Sequence, residues 1–161
     1  MFGKSQTTAT QWETIKKDPD LLLNFRITSN RSIITLELKF HLGNYANFSV
    51  SDTNSLWIKL LTGTTIKLKS KTNETAIKGG GSIHSAGITV PGVFVKYEVQ
   101  TEYADTLANQ FIEKLRLFTS SGYTDIKIGD WAASQICYGF RDIVFELHNQ
   151  KKESHSGDGK W

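Results

Sequence analysis

Cysteine, proline and long apolar runs are the scarce features of this chain. A single cysteine, Cys137, among 161 residues has no partner within the chain, so the fold rests on packing and not on disulfides. Two prolines and thirteen glycines are too few for a collagen-like or low-complexity chain. Apolar runs extend over only a few residues, far short of the roughly 20 that cross a bilayer as a helix, so no membrane span is expected. The opening MFGKSQTTAT contains no apolar run of the signal-peptide kind, and Phe2 excludes N-myristoylation. The cytoplasm is the expected compartment, or the cell envelope if a signal sequence has been removed.

Catalytic fingerprints are scarce as well. Gly79, Gly80 and Gly81 are followed by Ser82 and Ile83, where a phosphate-binding loop requires lysine and then serine or threonine at a helix start. Ser82, His84 and Ser85 lie close in sequence but have no orienting acid and no nucleophile elbow around them. His41, His84, His148 and His155 show none of the short spacings of a zinc site. Cys137 falls on an apolar helical stripe, which points to burial. Asp105, Glu113, Asp125 and Asp130 are explained by caps and solvated surface. No cofactor and no metal are expected, and the chain is read as acting by binding rather than by catalysis.

What is present describes one globular domain. The length suits a single core, and 39% hydrophobic with 22% charged residues is ordinary for such a fold. The formal charge of +3 is unevenly spread, because the basic excess lies in the first half of the chain. Residues 32–42 alternate, with Ile34, Leu36, Leu38, Phe40 and Leu42 on one face, the period of a half-buried strand. Residues 22–28 supply its hairpin partner, with Ser29, Asn30 and Arg31 as the turn. A second hairpin runs from Leu56, Ile58 and Leu60 through Gly63 to Ile66 and Leu68, and residues 93–100 form a further strand.

Helices are expected elsewhere. Residues 11–18 match a short helix with Thr10 as its N-cap and Glu13 at capping-box spacing. Tyr103, Ala104, Leu107, Ala108, Phe111, Ile112 and Leu115 recur at three and four residues, predicting a helix over 101–116 capped by Thr101, with Lys114 and Arg116 at its negative end. Residues 115–119 and 124–128 suggest a short hairpin. Asp130 caps a last helix carrying Ala133, Ile136, Cys137, Phe140, Val144 and Leu147. Residues 141–148 also alternate as a strand would, but the helical register covers more of the apolar positions and is preferred.

The expectation is therefore α+β, a mainly antiparallel β-sheet of about five to seven strands packed by two helices. Residues 1–10 read as a flexible arm, 11–148 as the domain, 72–92 as a long glycine-rich loop within it, and 149–161 as a disordered tail.

One stretch stands out as a candidate binding surface. Residues 59–78 carry five lysines against the single acid Glu74, and on a strand Lys67, Lys69 and Lys71 point the same way, with Trp57 and Lys59 on the preceding strand. Such a row suits phosphates, although nucleic-acid surfaces add arginine and further exposed aromatics, and an edge strand uses lysines to block sheet pairing. Trp12, Trp57 and Trp131 flank predicted elements and read as satellites of the core, while Trp161 belongs to the tail. An outward Trp57 beside Leu61 would mark a partner surface.

The segment YEVQTEYADTLANQFIEKLRLFTSSGYTDIKI, residues 97–128, resembles a pattern in small uncharacterised α+β proteins of Bacteroidota, in which a strand, a capped helix, a basic-apolar segment and a glycine turn follow in order. The resemblance implies a bacterial α+β protein and carries over no functional residue. The function expected is binding of a protein or small ligand; the alternative is nucleic-acid binding through the lysine-rich strand at 65–71.

Overall fold

The computed structural model describes residues 7–43, 47–53, 55–85 and 87–158. In chain order the elements are β1 (Thr7–Ala9), β2 (Glu13–Asp18), β3 (Leu21–Asn30), β4 (Ile33–Leu42), β5 (Ser49–Val50), β6 (Ser55–Leu60), β7 (Thr65–Lys69), β8 (Glu74–Thr75), β9 (Ile77–Lys78), β10 (His84–Ser85), β11 (Ile88–Thr89), β12 (Pro91–Val99), α1 (Thr101–Leu107), β13 (Ile112–Thr119), β14 (Gly122–Lys127) and α2 (Asp130–Asp158). Every strand pairing among them is antiparallel. The chain is thus α+β, with mainly antiparallel sheet and two helices, as the alternating patterns predict. None of its helices is long and apolar enough among the described residues to cross a membrane.

Two sheets carry the architecture. The first runs β1–β3–β4–β12–β9, with β2 also on β3; the second runs β14–β13–β6–β7. A bridge between Ser70 and Tyr97 joins the end of β7 to β12, so one sheet passes into the other. Period-two alternation sends Phe25, Leu38 and Val95 inward from the first sheet and Leu56, Ile58, Ile66, Leu115 and Leu117 inward from the second, all buried. Helix α2 contributes Ala133, Ile136, Phe140 and Ile143 to the same core. Each large side chain so buried favours folding by roughly 1.5–3 kcal/mol before conformational entropy is charged against it. At Gly139 the helix backbone comes so near β3 that an added Cβ would lie 2.8 Å from Ile27 Cδ1.

Five expectations are corrected. The segment of residues 11–18 is no helix: Glu13–Asp18 is edge strand β2, paired to β3 with a bulge between Thr14 and Lys16. A helix of two turns is marginal by itself, and it would leave the outer edge of β3 unpaired. The N-terminal arm is likewise partly strand, since Thr7–Ala9 pairs with β3; residues 1–6 lie outside the described residues.

The helix predicted over 101–116 stops at Leu107, and Ile112–Thr119 is strand β13, central in the second sheet. The cause of the misreading is a register shift between Ile112 and Lys114. A bulge puts Ile112 and Leu115 on the same face three residues apart, and that spacing imitates a helix. The N-cap position of α1 is Gln100, without a side-chain cap bond, so Thr101 is the first helical residue. At the other end Ala108 O accepts from Cys137 Sγ and from Arg141 Nε and Nη2, at 3.3 to 3.4 Å.

Residues 72–92 are not a bare loop, because β8 and β9 pair with β5 and β12, and β10 with β11. Glycine is what permits it: a Cβ on Gly80 would overlap Gly92 O, and one on Gly92 would lie 2.6 Å from Gly80 O. Two backbones touch there, so the glycine run is a packing device. Lastly, the tail expected to be disordered from residue 149 is helical as far as Asp158, and the strand alternative for 141–148 gives way to α2.

Candidate functional site

The outer face of the second sheet gathers four of the five residues that sequence singles out. Registers place three rows across its strands. Lys67, Trp57, Arg116 and Asp125 lie opposite one another in the middle row. On one side, two residues along each strand, come Thr65, Lys59, Lys114 and Lys127. On the other side Lys69 stands on β7, and Phe118 faces Tyr123 across β13 and β14. Lys71 is not brought in: it follows β7, and its backbone N–H donates to Lys96 O.

The middle row is tightly organised. Lys67 Nζ sits 4.3 Å from the Trp57 ring centroid, and the Arg116 guanidinium carbon is 5.6 Å from Trp57 and 4.0 Å from Tyr123. Phe118 meets Trp57 edge-on at 5.0 Å and Tyr123 at 6.1 Å. Asp125 holds Arg116 in a two-point fork, Nε to Oδ1 at 2.7 Å and Nη2 to Oδ2 at 2.9 Å, with Lys114 Nζ at 3.7 Å. That fork keeps the Asp125 carboxyl below its usual range and the Arg116 guanidinium above its own. Arginine is therefore presented as a fixed plane between two aromatic rings. Tyr123 is 59% exposed, while Trp57 is half-buried.

Charge on this face is one-sided. Lys59, Lys67, Lys69, Lys114, Arg116 and Lys127 share it with Asp125 and with Glu113, which is 3.5 Å from Lys59, while Glu98 of β12 lines a neighbouring groove with Lys67 and Lys69. Lys67, Lys69 and Lys127 form no ion pair among the described residues. A groove of about 260 Å³ lined by Trp57, Lys59, Thr65, Lys114 and Arg116 runs through it.

Sequence reading missed Arg116, Lys114, Phe118, Tyr123 and Lys127. The expected helix takes Lys114 and Arg116 for its end, and the expected hairpin of 115–119 and 124–128 contains Phe118 and Lys127 but starts its second strand past Tyr123, which lies in β14. The alternation of Lys114, Arg116 and Phe118 with Leu115 and Leu117 was the available signal.

The remaining candidates resolve structurally. Cys137 is buried and its thiol is pushed up by desolvation, with Arg141 pulling the other way. Burial likewise raises the phenol of Tyr97 in the core. His41 Nδ1 lies 2.5 Å from Pro91 O, and His84 Nδ1 lies 3.2 Å from Thr89 Oγ1. No cluster of three metal-ligating side chains occurs among the described residues. Trp12 packs on Phe94, whereas Trp131 is exposed. Leu61 is exposed in the turn after β6, but the aromatics that contact Trp57 and its neighbours are Phe118 and Tyr123. A second groove, about 340 Å³, lies between α2 and the strand edge and is lined by Glu13, Asp142, Glu146 and Tyr138 among others; its carboxylates oppose it in charge to the sheet face.

No family model, curated protein or solved structure matches the chain.

Proposed function

We propose that this protein is a binding domain whose working surface is the outer face of the β14–β13–β6–β7 sheet and whose partner is a polyanion. One observation carries the reading: six cations, Lys59, Lys67, Lys69, Lys114, Arg116 and Lys127, share that face, and Lys67, Lys69 and Lys127 form no ion pair among the described residues. An edge strand needs a lysine or two to prevent sheet pairing, but Lys114 and Arg116 lie on β13, an inner strand. Edge protection does not account for them. Anion binding does, because neighbouring strands hold the charges at repeating separations.

Retention on base-free polyphosphate and on oligothymidylate at low salt tests this. Both polymers bind, the affinity falls steeply as salt rises, and the double variant Lys67→Glu with Lys69→Glu loses at least about tenfold on each, since every reversal replaces attraction with repulsion. Absence of binding at low salt, or a double variant that binds like the parent, rejects the proposal.

A further inference from the structure

We infer that the polyanion is a single strand of nucleic acid, held with its phosphates along the row Lys59, Lys114 and Lys127 and its bases on the planar groups of Trp57, Arg116 and Tyr123. The inference rests on the polyanion reading and adds to it the chemical class of the ligand.

The geometry has two parts that a base-free polymer would not use together. Lys59, Lys114 and Lys127 are mutually opposite on three adjacent strands, so their stems stand about 4.8 Å apart, a line of charge running across the sheet. Two residues farther along the same strands, about 6.6 Å away, lie Trp57 and Arg116, with Tyr123 diagonal to Arg116 across β14. A phosphodiester chain laid on the lysine line therefore has a platform of flat π and guanidinium surfaces beside it, on the side toward which its bases project. Unpaired bases stack on aromatic rings and on arginine planes, and such stacking is tolerant of sequence.

Arginine's state favours the same ligand. Asp125 takes the Nε and Nη2 edge of Arg116, so the plane of this guanidinium is fixed and it offers a face on which a base can stack. Lys67 and Lys69, at the far side of the aromatic rows on β7, remain available to a neighbouring phosphate as the strand leaves the platform. A duplex keeps its bases stacked inside, where Tyr123 and Trp57 have no access to them; it could meet only the lysines.

Three probes of matched charge separate the outcomes in equilibrium titrations of the full chain: oligothymidylate, a blunt DNA duplex and polyphosphate. Oligothymidylate should bind at least about tenfold tighter than either of the others, with quenching of tryptophan fluorescence that Trp57→Phe diminishes. Tyr123→Ser, at a side chain exposed enough to change without disturbing the core, and Trp57→Ala should each weaken oligothymidylate about tenfold and leave polyphosphate unchanged. Equal affinity for all three probes, or a Tyr123→Ser variant unaltered toward oligothymidylate, overturns the single-strand assignment and leaves polyanion binding standing. Failure of all three to bind overturns both.

Discussion

The two sheets each turn one face outward, and they finish it in different ways. On the first sheet Arg26, Glu37 and Lys96 stand opposite one another across β3, β4 and β12, with Lys39 beside Phe94. Trp12, at the break between β1 and β2, lies over that surface: its ring is 4.1 Å from Lys39 Nζ, 4.8 Å from the Arg26 guanidinium carbon, and edge-on to Phe94 at 5.5 Å. Glu37, only 5% exposed, takes Arg26 Nε at 2.6 Å and the Thr28 hydroxyl at 3.3 Å. Cations, carboxylate and tryptophan thus answer one another within the chain. The second sheet has the same ingredients without the cover. Its Trp57 is a member of the sheet and not a lid on it. Similar residue types serve stability on one face and stand available to a partner on the other; the difference lies in whether a neighbouring segment crosses them.

Tryptophan replacement gives the largest contrast. Trp12→Ala removes a half-buried ring that links the β1–β2 junction to β3, β4 and β12, and should lower unfolding free energy by about 2 kcal/mol, below the range for fully buried tryptophans, with anion affinity unchanged. Trp57→Ala should do the reverse, costing less stability and weakening the ligand. Denaturant midpoints and oligothymidylate titrations on both variants decide it. If Trp57→Ala is the more destabilising, or Trp12→Ala the more damaging to binding, the two faces are not divided as described.

A somewhat smaller effect is expected at Glu37. Gln in its place removes the charge from a group almost without solvent and leaves Arg26 without its ionic partner. Arg26 keeps some access to water, with 31% of its side chain exposed, so the loss should be about 1–2 kcal/mol rather than the larger value of a fully buried pair. A chemical denaturation curve for Glu37→Gln that overlays the parent would show that Trp12, not the ion pair, closes the first face.

How much of this was legible beforehand depended on whether alternation ran unbroken. The β3–β4 and β6–β7 hairpins and helix α2 follow from uninterrupted periods of two and 3.6. Trp57 with Lys59, Lys67 and Lys69 could be singled out because all four lie on such strands. Lys71, expected on the same face, leaves it because the strand ends before it and its backbone pairs with β12. The other half of the site was hidden by the bulge at Ile112–Lys114, which disguised an inner strand as the end of a helix and so separated Arg116 from Trp57. Edge pairing was the second blind spot: Glu13–Asp18 becomes strand because β3 offers it hydrogen bonds, a circumstance that no local pattern encodes.

Asp125 offers the finest test, because on the open face it does what Glu37 does on the covered one while remaining in contact with water. Its pair with Arg116 is exposed, so Asp125→Asn should cost less than about 1 kcal/mol. Binding should depend on the ligand. The substitution frees the guanidinium plane that Asp125 holds for stacking, so oligothymidylate affinity should fall a few-fold, while loss of a carboxylate should raise polyphosphate affinity slightly at low salt, an increase that shrinks as salt screens it. The stability effect has a definite pH sense. Hydrogen bonding to Arg116 depresses the folded-state pKa of Asp125; its contribution is therefore present above the ordinary carboxylate range and lost as pH falls through the depressed value. The parent and Asp125→Asn should differ slightly at neutral pH and converge in acid, as read from unfolding curves across that range. A variant that binds oligothymidylate more tightly than the parent would mean that Asp125 is a brake on this face and not part of its platform.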